Sequence, residues 1–222
     1  CKCRNICNSC YLMPTLFSTS YFPPAIQYSE YLKADTCLIE AYEHFPKQTF
    51  RNRTYIMTAN GVFMLSVPLE NRKNHQFTKD VKISYAENWQ KLHWRTISNA
   101  YQRSPFYEYY DYKIEPLFSQ KKHTFLLDLN LDIENTINQI LKVDIIRQKT
   151  TDFHPIGTDT FRDFRTIISP KNKSLQSNIS EPSYLQVFAD KYPFQQNLSI
   201  LDVIFNLGPE SISHLKQIKV TF

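Results

Sequence analysis

The chain has 222 residues, of which 42% are hydrophobic and 21% are charged, and its formal net charge is +5. This composition is typical of a globular protein with a sizeable core, and it excludes a disordered or fibrous chain. No run of about 18 or more apolar residues is present, so no membrane-spanning helix is expected. The modest positive charge is spread along the chain, which does not indicate a nucleic-acid partner.

The scarcity of glycine excludes several kinds of binding or catalytic site. The chain has three glycines, Gly61, Gly157 and Gly208, and they lie far apart in the sequence. A dinucleotide-binding GxGxxG loop, a Walker phosphate loop and a GxSxG nucleophile elbow each need closely spaced glycines, because the backbone must approach a phosphate or turn sharply there. The sequence therefore excludes these three kinds of site.

The first twelve residues differ from the rest of the chain. Four of the five cysteines lie within the first ten residues. A zinc site, a lipidated N-terminal cysteine and a stretch that lies outside the native domain all fit this pattern. We expect residues 1–12 to be an extension and residues 13–222 to form a single domain. Cys37 is then the remaining cysteine, which indicates a reduced, cytoplasmic protein.

The first predicted elements form a βαβ-like unit. Residues 15–22 are rich in β-prone side chains and stop at Pro23, which ends a strand. Residues 25–34 favour a short helix, and residues 36–41 favour a second strand. A strand, a helix and a strand in this order are typical of parallel pairing.

A hairpin is expected next. Residues 54–59 and 62–67 favour strands, and Asn60-Gly61 between them favours the positive φ angles of a type I′ turn. Residues 81–85 favour a further strand close to this hairpin.

The middle of the chain has helical periodicity. Apolar residues within 89–101 recur at the spacing of one helix face and predict a helix there. Ser104-Pro105 closes that helix and opens another that runs through residue 118. A third helix is expected over 124–141, with a cap at its first residue.

The last third begins with the segment that has the least regular composition. Residues 150–183 are rich in Thr, Ser, Asn and Pro, which favours a long surface connection or an active-site flap. A short helix is expected at 184–188, a second at 199–206 that Gly208 stops, and a last helix through Lys216. The predicted fold class is α/β, with a mixed sheet, the βαβ-like unit, the Asn-Gly hairpin and a helical C-terminal half.

The densest cluster of polar chemistry precedes the hairpin. In an extended segment, Arg51 and Arg53 point to one face and Asn52 points to the other. Two guanidinium groups on one side suit a carboxylate or a phosphate, since each offers a planar fork of donors. With Lys47 nearby, the segment predicts a pocket for an anionic group such as the diphosphate of a nucleotide sugar.

The same segment has a plainer interpretation. Its charges are equally consistent with a solvated run, or with an ion pair to Glu40 or Glu43. Composition and spacing leave both interpretations open.

Two histidines are candidates for proton transfer. His93 is four residues from both Trp89 and Ile97, so it lies on the packed side of its helix. A histidine there is often a buried core residue, but its ordinary pKa near 6.5 also makes it the leading candidate for a general base. His44 lies in a turn and is expected to be more exposed.

Three aspartates are candidates for other roles. Asp202 falls on the apolar edge of its helix, so it needs partners, because an unpaired buried charge is costly. It is a catalytic candidate or a structural ion-pair partner. Asp128 and Asp132 are spaced to hold a metal or to form a polar face. No HExxH or EF-hand loop is present, so no metal site and no cofactor are predicted.

Several separated motifs occur in one order along the chain. They are Lys47 to Arg53 (KQTFRNR), Asn60-Gly61 with Val67-Pro68, Trp89 and His93 within NWQKLHW, Tyr101 with Ser104-Pro105-Phe106, Asn197 to Asp202, Phe205-Asn206 and Gly208-Pro209-Glu210. Together they resemble the WbqC-like protein family from about Leu16 to His214.

The resemblance implies a role in bacterial O-antigen or surface-polysaccharide biosynthesis. It implies a transferase that moves an acyl or aminoacyl group, such as glycine, to an activated amino sugar, with a small-molecule substrate and no metal. Within the shared motifs, Tyr21 and Trp89 become candidate substrate contacts. The alternatives are a ligand-binding or assembly protein of the same fold without catalysis, and RNA binding through tyrosines and basic residues. The oligomeric state is not predicted.

One motif departs from the family pattern. Many members open with His-Gln-Pro-Asn-Tyr-Phe-Pro, whereas this chain has Phe17-Ser18-Thr19-Ser20 before Tyr21-Phe22-Pro23. The His and Gln are therefore absent. If that histidine is catalytic elsewhere, this chain uses another base or has lost the reaction.

Overall fold

The computed structural model describes residues 13–70, 75–119, 122–158, 160–172 and 174–221. The prediction for the first twelve residues lies outside these ranges. The N-terminal part begins with strand β1, helix α1 and strand β2, followed by a hairpin of strands β3 and β4. Their bounds are Thr15–Ser18, Ala25–Lys33, Cys37–Glu40, Arg53–Thr58 and Gly61–Ser66, respectively.

The middle part contains four helices, α2 to α5, and two short strands, β5 and β6. Their bounds are Trp89–Tyr101, Tyr107–Ile114, Pro116–Ser119 and Leu126–Leu141 for the helices, and Arg147–Lys149 and Arg162–Asp163 for the strands.

The C-terminal part contains helix α6, strand β7, helices α7 and α8, and strand β8. Their bounds are Leu175–Asn178, Ile179–Ser180, Ile200–Leu207, Ser211–Gln217 and Lys219–Val220.

A four-stranded parallel sheet organises the described residues, with strand order β5-β2-β1-β6. Strand β1 pairs with β2, with Ser18 opposite Glu40, and β6 pairs with the other edge of β1. The hairpin β3-β4 and the pair β7-β8 are separate antiparallel sheets. The mixed α/β class and the parallel βαβ unit are therefore confirmed.

The core packs around the buried side chains of β1 and α1. Phe17 lies between Tyr31 of α1, at 4.6 Å between ring centroids, and Phe164, at 5.3 Å. All three rings are almost fully buried. Phe17 stands where the family pattern that the sequence resembles has a histidine, and in this structure Phe17 is part of the hydrophobic core.

Several predicted boundaries were wrong. Strand β1 ends at Ser18 rather than at residue 22, because Phe22 adopts a positive φ of 44° and turns the chain toward α1. Residues 81–85 do not form a strand but only isolated β-bridges, such as the bridge between Ile83 and Leu69. Helix α5 begins at Leu126, without a side-chain cap from Thr124.

Two further differences concern the last third. The predicted helix at 184–188 is wrong, because Tyr184 and Gln186 lie in an irregular segment whose side chains bond Asp202. Residues 150–183 are not only a surface connection. They supply β6 to the sheet, and Phe164 and Arg165 of this segment are buried.

Candidate functional site

Polar side chains meet where the parallel strands end. Ser18 and Glu40 are the last residues of β1 and β2, and Asp163 is the last residue of β6. Thr150 follows β5 directly. In open parallel sheets, ligands bind outside the carboxyl ends of the strands, where neighbouring connections diverge. Here β1 continues into α1 and β2 on one side, while β6 lies on its other side.

A cavity of about 620 Å³ opens at this end of the sheet, and we call it the edge cavity. Its wall combines charged groups with apolar side chains, and two of the latter, Phe153 and Ile156, are at least half exposed. The lining residues used below are Glu43, Thr49, Arg51, Arg165 and Lys171.

Arg51 is held rigidly in the wall of the edge cavity. Its side chain is buried, its Nε donates to Glu43 Oε1 at 2.7 Å, and its Nη2 donates to Ser18 Oγ at 2.6 Å. Burial raises the pKa of Glu43, and the Arg51 charge opposes this shift. A solvated charge run is therefore wrong for Arg51, whereas the alternative ion pair to Glu43 is present.

Glu40 is the centre of a second buried network. Its side chain is fully buried and accepts hydrogen bonds from Thr150 Oγ1 at 2.9 Å and from the Tyr42 amide at 2.9 Å. Arg165 Nη1 donates to Glu40 Oε2 at 3.4 Å, and the same guanidinium forms a bidentate pair with Asp163. This network fixes the wall next to Arg51.

His154 is oriented by the same carboxylate. Its amide donates to Glu40 Oε2 at 3.1 Å, and its Nδ1 lies 3.3 Å from that oxygen. Among the described residues, Nε2 has no hydrogen-bond partner, and the side chain is 27% exposed. A histidine oriented by a carboxylate, with its second nitrogen accessible, is a common arrangement for a general base. His154 does not itself line the edge cavity, but its neighbours Phe153 and Ile156 do.

Glu40, Arg165 and His154 were not predicted as site residues from the sequence. The available signal was positional: Glu40 ends a predicted parallel strand, where ligands are bound. Arg165 and His154 both bond Glu40, which lies more than 110 residues earlier in the chain. Local sequence patterns do not reveal contacts over such a distance.

The other residues of the Arg51 segment lie elsewhere. Lys47 is exposed, and neither it nor Arg53 lines the edge cavity. Asn52 ties the ends of the hairpin together through a bond from Nδ2 to the Val67 carbonyl at 3.1 Å. Arg53 is half-buried, and its Nε has no hydrogen-bond partner among the described residues. The two arginines therefore do not share one pocket wall.

Tyr21, Trp89 and His93 form a buried aromatic cluster. Tyr21 Oη lies 2.9 Å from His93 Nδ1, and Trp89 packs edge-on against His93 at 5.1 Å. Burial lowers the pKa of His93 from its usual 6.5 to about 4, and a hydrogen bond to the Ser66 backbone opposes this shift. The cluster lies apart from the residues that line the edge cavity.

Asp202 lies in a third place, in the first turn of α7. Its fully buried carboxylate accepts hydrogen bonds from Tyr101 Oη at 2.9 Å, Tyr184 Oη at 2.6 Å and Gln186 Nε2 at 2.9 Å. Burial raises its pKa to about 6. No cation pairs with Asp202 within the described ranges, so the predicted ion pair to an arginine is wrong, and neutral donors hold the carboxylate instead.

The remaining candidates have ordinary partners. Asp132 pairs with Lys122 and His123, each at 3.0 Å, and Asp128 is exposed. His44 lines the edge cavity and stacks on Phe77. Within the described ranges, no group of three or more His, Cys, Asp or Glu side chains could hold a metal ion. None of the described helices has the length and hydrophobicity needed to cross a membrane.

The fold and the site define a parallel α/β domain with a charged cavity at the carboxyl edge of its sheet. The chain belongs to the WbqC-like protein family, whose sequence model matches residues 19–171. It is also similar to uncharacterized protein Rv1507c of Mycobacterium tuberculosis, with 26% identity over 195 residues that cover 78% of this chain and 84% of that protein. No solved structure matches the chain significantly. The resemblance inferred from the separated motifs is thus confirmed.

Proposed function

We propose that this protein is a transferase that binds an activated amino sugar in the edge cavity and transfers an acyl or aminoacyl group to it during surface-polysaccharide biosynthesis. Family membership supports this proposal, because the family is tied to such gene clusters. The observation that carries the proposal is the edge cavity itself, with buried Arg51 and Glu43 in its wall at the carboxyl end of a parallel sheet.

An unpaired hydroxyl supports binding of a ligand in the edge cavity. Thr49 lines the cavity and is 4% exposed, yet its Oγ1 has no hydrogen-bond partner among the described residues. Leaving a buried hydroxyl unpaired costs about 1–3 kcal/mol. A ligand that bonds Thr49 Oγ1 would recover this free energy.

The charges of the cavity suggest the polar groups of the ligand. Lys171 is exposed and has no ion pair in the described parts of the chain, so its ammonium group is suited to a phosphate or carboxylate. Arg51 is pre-organised beside it in the lining. Glu43, whose pKa burial raises, is suited to hold an amino group or to exchange a proton with it.

His154 is the general base in this proposal. Its Glu40-oriented ring leaves Nε2 without a partner among the described residues, whereas His93 is buried and bonded to Tyr21 and Ser66. We assign His154 Nε2 to accept the proton that the attacking amine loses as its nitrogen bonds the donor's acyl carbon. The bond from that carbon to the donor's thiol sulfur or hydroxyl oxygen breaks, and the leaving group takes up the proton. Catalytic roles for His93 and Asp202, and substrate contacts from Tyr21, Asn52, Arg53, Lys47 and Trp89, remain predictions.

A thermal-shift screen with nucleotide sugars, aminoacyl donors and acyl-CoA tests the binding claim. Nucleotide sugars are expected to stabilise the wild type. Thr49→Val keeps the shape of the side chain and removes the unpaired hydroxyl, so affinity should fall about tenfold while the free protein keeps or gains stability.

A matched variant separates binding from folding. Thr54 is also buried, but its Oγ1 donates to the Phe22 carbonyl at 2.9 Å. Thr54→Val should lower the free energy of unfolding by about 1–3 kcal/mol and leave ligand affinity unchanged. Wild-type affinity of the folded Thr49→Val variant for every stabilising ligand would exclude the edge cavity as the site.

The second candidate function is ligand binding without catalysis. It is favoured by the substituted first motif, in which Phe17 is a core residue and Ser18 Oγ is occupied by Arg51. Mass spectrometry after incubation with donor and amino sugar distinguishes the two functions. Stabilisation by ligands without any product would support the binding protein.

A further inference from the structure

A second cavity of about 390 Å³ lies against the edge cavity, and we call it the amide cavity. Both cavities include Ser169 and Asn172 in their walls, so the turn that contains these residues separates them. Among the described residues, none in the lining of the amide cavity carries a charge. Its polar side chains are mainly amides, from Asn172, Gln176, Gln195, Gln196 and Asn197.

Two aromatic rings form another part of the wall. Phe50 and Tyr55 pack edge to face, with 6.0 Å between their ring centroids. Phe50 is buried, whereas Tyr55 is half-buried. Tyr55 lies within β3, which holds its backbone in the hairpin. The rings therefore offer a fixed apolar surface beside the amides.

Asn197 is the fixed polar group of this cavity. The residue is 5% exposed, its Oδ1 accepts from the Ile26 backbone N–H at 3.2 Å, and its own backbone N–H donates to Glu181 Oε2 at 2.6 Å. Its Nδ2 has no hydrogen-bond partner among the described residues. Asn197 also adopts a positive φ of 57°. A buried donor held in a wall without a protein partner is suited to an acceptor on a ligand.

Neighbouring amides are held by backbone contacts. The Gln195 backbone N–H donates to Gln186 Oε1 at 2.9 Å, and Gln196 Nε2 donates to the Gln176 carbonyl. Each side-chain amide carries both donors and an acceptor. Hydroxyl groups are both donors and acceptors as well, so a row of amides matches a hydroxyl-rich ligand better than an ion.

We infer that the amide cavity binds the uncharged, hydroxyl-rich ring of a sugar, next to the charged group that the edge cavity holds. The combination of amides, aromatic rings and no charge fits a sugar, whose hydroxyls bond amides and whose C–H face packs on a ring. This inference rests on the proposed function, because it makes the two cavities adjoining subsites for one transfer reaction.

Saturation-transfer NMR with neutral methyl glycosides of glucose, galactose and N-acetylglucosamine tests the inference, since it detects weak binding. The wild type is expected to transfer saturation to at least one of them. Substituting the exposed Gln176→Ala together with Gln195→Ala should reduce the signal by about fivefold, the loss expected for removing a hydrogen bond. Tyr55→Ala should reduce it similarly.

Tyr192→Ala is the matched control, because Tyr192 is also half-buried but does not line the amide cavity. Saturation transfer to the glycosides in this variant should equal that in the wild type, and circular dichroism checks that each variant is folded. Absence of saturation transfer to every glycoside in the wild type would overturn the inference. An undiminished signal in the folded Gln176→Ala, Gln195→Ala variant would also overturn it.

The two proposals fail in different ways. Thr49→Val changes only the edge cavity, so it should keep the glycoside signal while it weakens binding of nucleotide sugars. Loss of nucleotide-sugar binding with a retained glycoside signal supports two subsites. Glycoside binding that Thr49→Val abolishes would place the sugar in the edge cavity and overturn the inference, while leaving the proposed function intact.

Discussion

His93 and His154 illustrate how contacts decide what a histidine can do. His93 is 4% exposed, contacts Tyr21 Oη through Nδ1, and also bonds the Ser66 backbone. His154 contacts Glu40 through Nδ1 and is 27% exposed. Partners that lie far away in the chain leave His93 buried and bonded, and they leave His154 oriented but partly exposed.

The lowered pKa of His93 predicts a pH dependence of stability. Since His93 titrates near pH 4 when folded and near 6.5 when unfolded, the unfolded chain binds the extra proton between these values. The contribution of neutral, buried His93 to the free energy of unfolding is complete above about pH 6.5 and is lost as the pH falls toward 4. The stability difference between wild type and His93→Gln should therefore shrink by up to about 3 kcal/mol over this range.

Urea unfolding at pH 4, 5.5 and 7 measures this difference directly. A difference that stays constant with pH would show that His93 is not a buried neutral histidine.

Turnover provides the contrasting measurement for the other histidine, His154. His154→Gln is expected to abolish product formation while it preserves ligand binding and the unfolding midpoint. Full turnover in His154→Gln would remove it from the mechanism.

The connection between α7 and α8 shows how one backbone position sets the arrangement of two helices. Gly208 has a positive φ of 52°, and a Cβ atom there would lie 2.4 Å from Phe106 Cδ1. The Phe106 amide donates to the Phe205 carbonyl at 3.0 Å, so the ring cannot move away freely. The predicted stop of α7 at Gly208 therefore reflects both the turn and the close approach of the ring.

Gly157 provides a matched comparison for this position. It also has a positive φ, of 84°, but no atom lies within 4 Å of the site of its Cβ. Gly157→Ala should cost about 1–2 kcal/mol from backbone strain alone. Gly208→Ala should cost about 3–5 kcal/mol, because displacement of the Phe106 ring adds to that strain. Equal losses in chemical denaturation would contradict the close packing against Phe106.

The whole molecule shows which features local sequence patterns can predict. The β1-α1-β2 unit, the hairpin and helix α2 were predictable, because each depends on periodicity or on a turn residue such as Asn60. The placement of β5 and β6 on the two sides of this unit depends on pairing that is distant in sequence. Residues 150–183 resembled a surface connection, since buried Phe164 and Arg165 stand among polar neighbours.

The candidate site follows the same division. Arg51 was predictable as a binding residue from its charge and spacing, and it does line the edge cavity. The cavity itself could not be predicted, because its wall joins residues 43–51 with residues 153–156 and 165–172. Residues such as Asn52 and Asp202 stand out in the sequence because they are polar within shared motifs. In the structure they bond backbone or buried side chains and lie away from the edge cavity.

Hydrogen–deuterium exchange with a saturating nucleotide sugar, chosen by the thermal-shift screen, tests the central claim that the edge cavity is the binding site. Ligand binding should slow exchange at backbone amides within residues 43–51 and 165–172, which supply most of the cavity wall. Exchange in α3, which lines neither cavity, should stay unchanged and serves as the internal reference. Unchanged exchange in both wall segments at saturating ligand would contradict the claim.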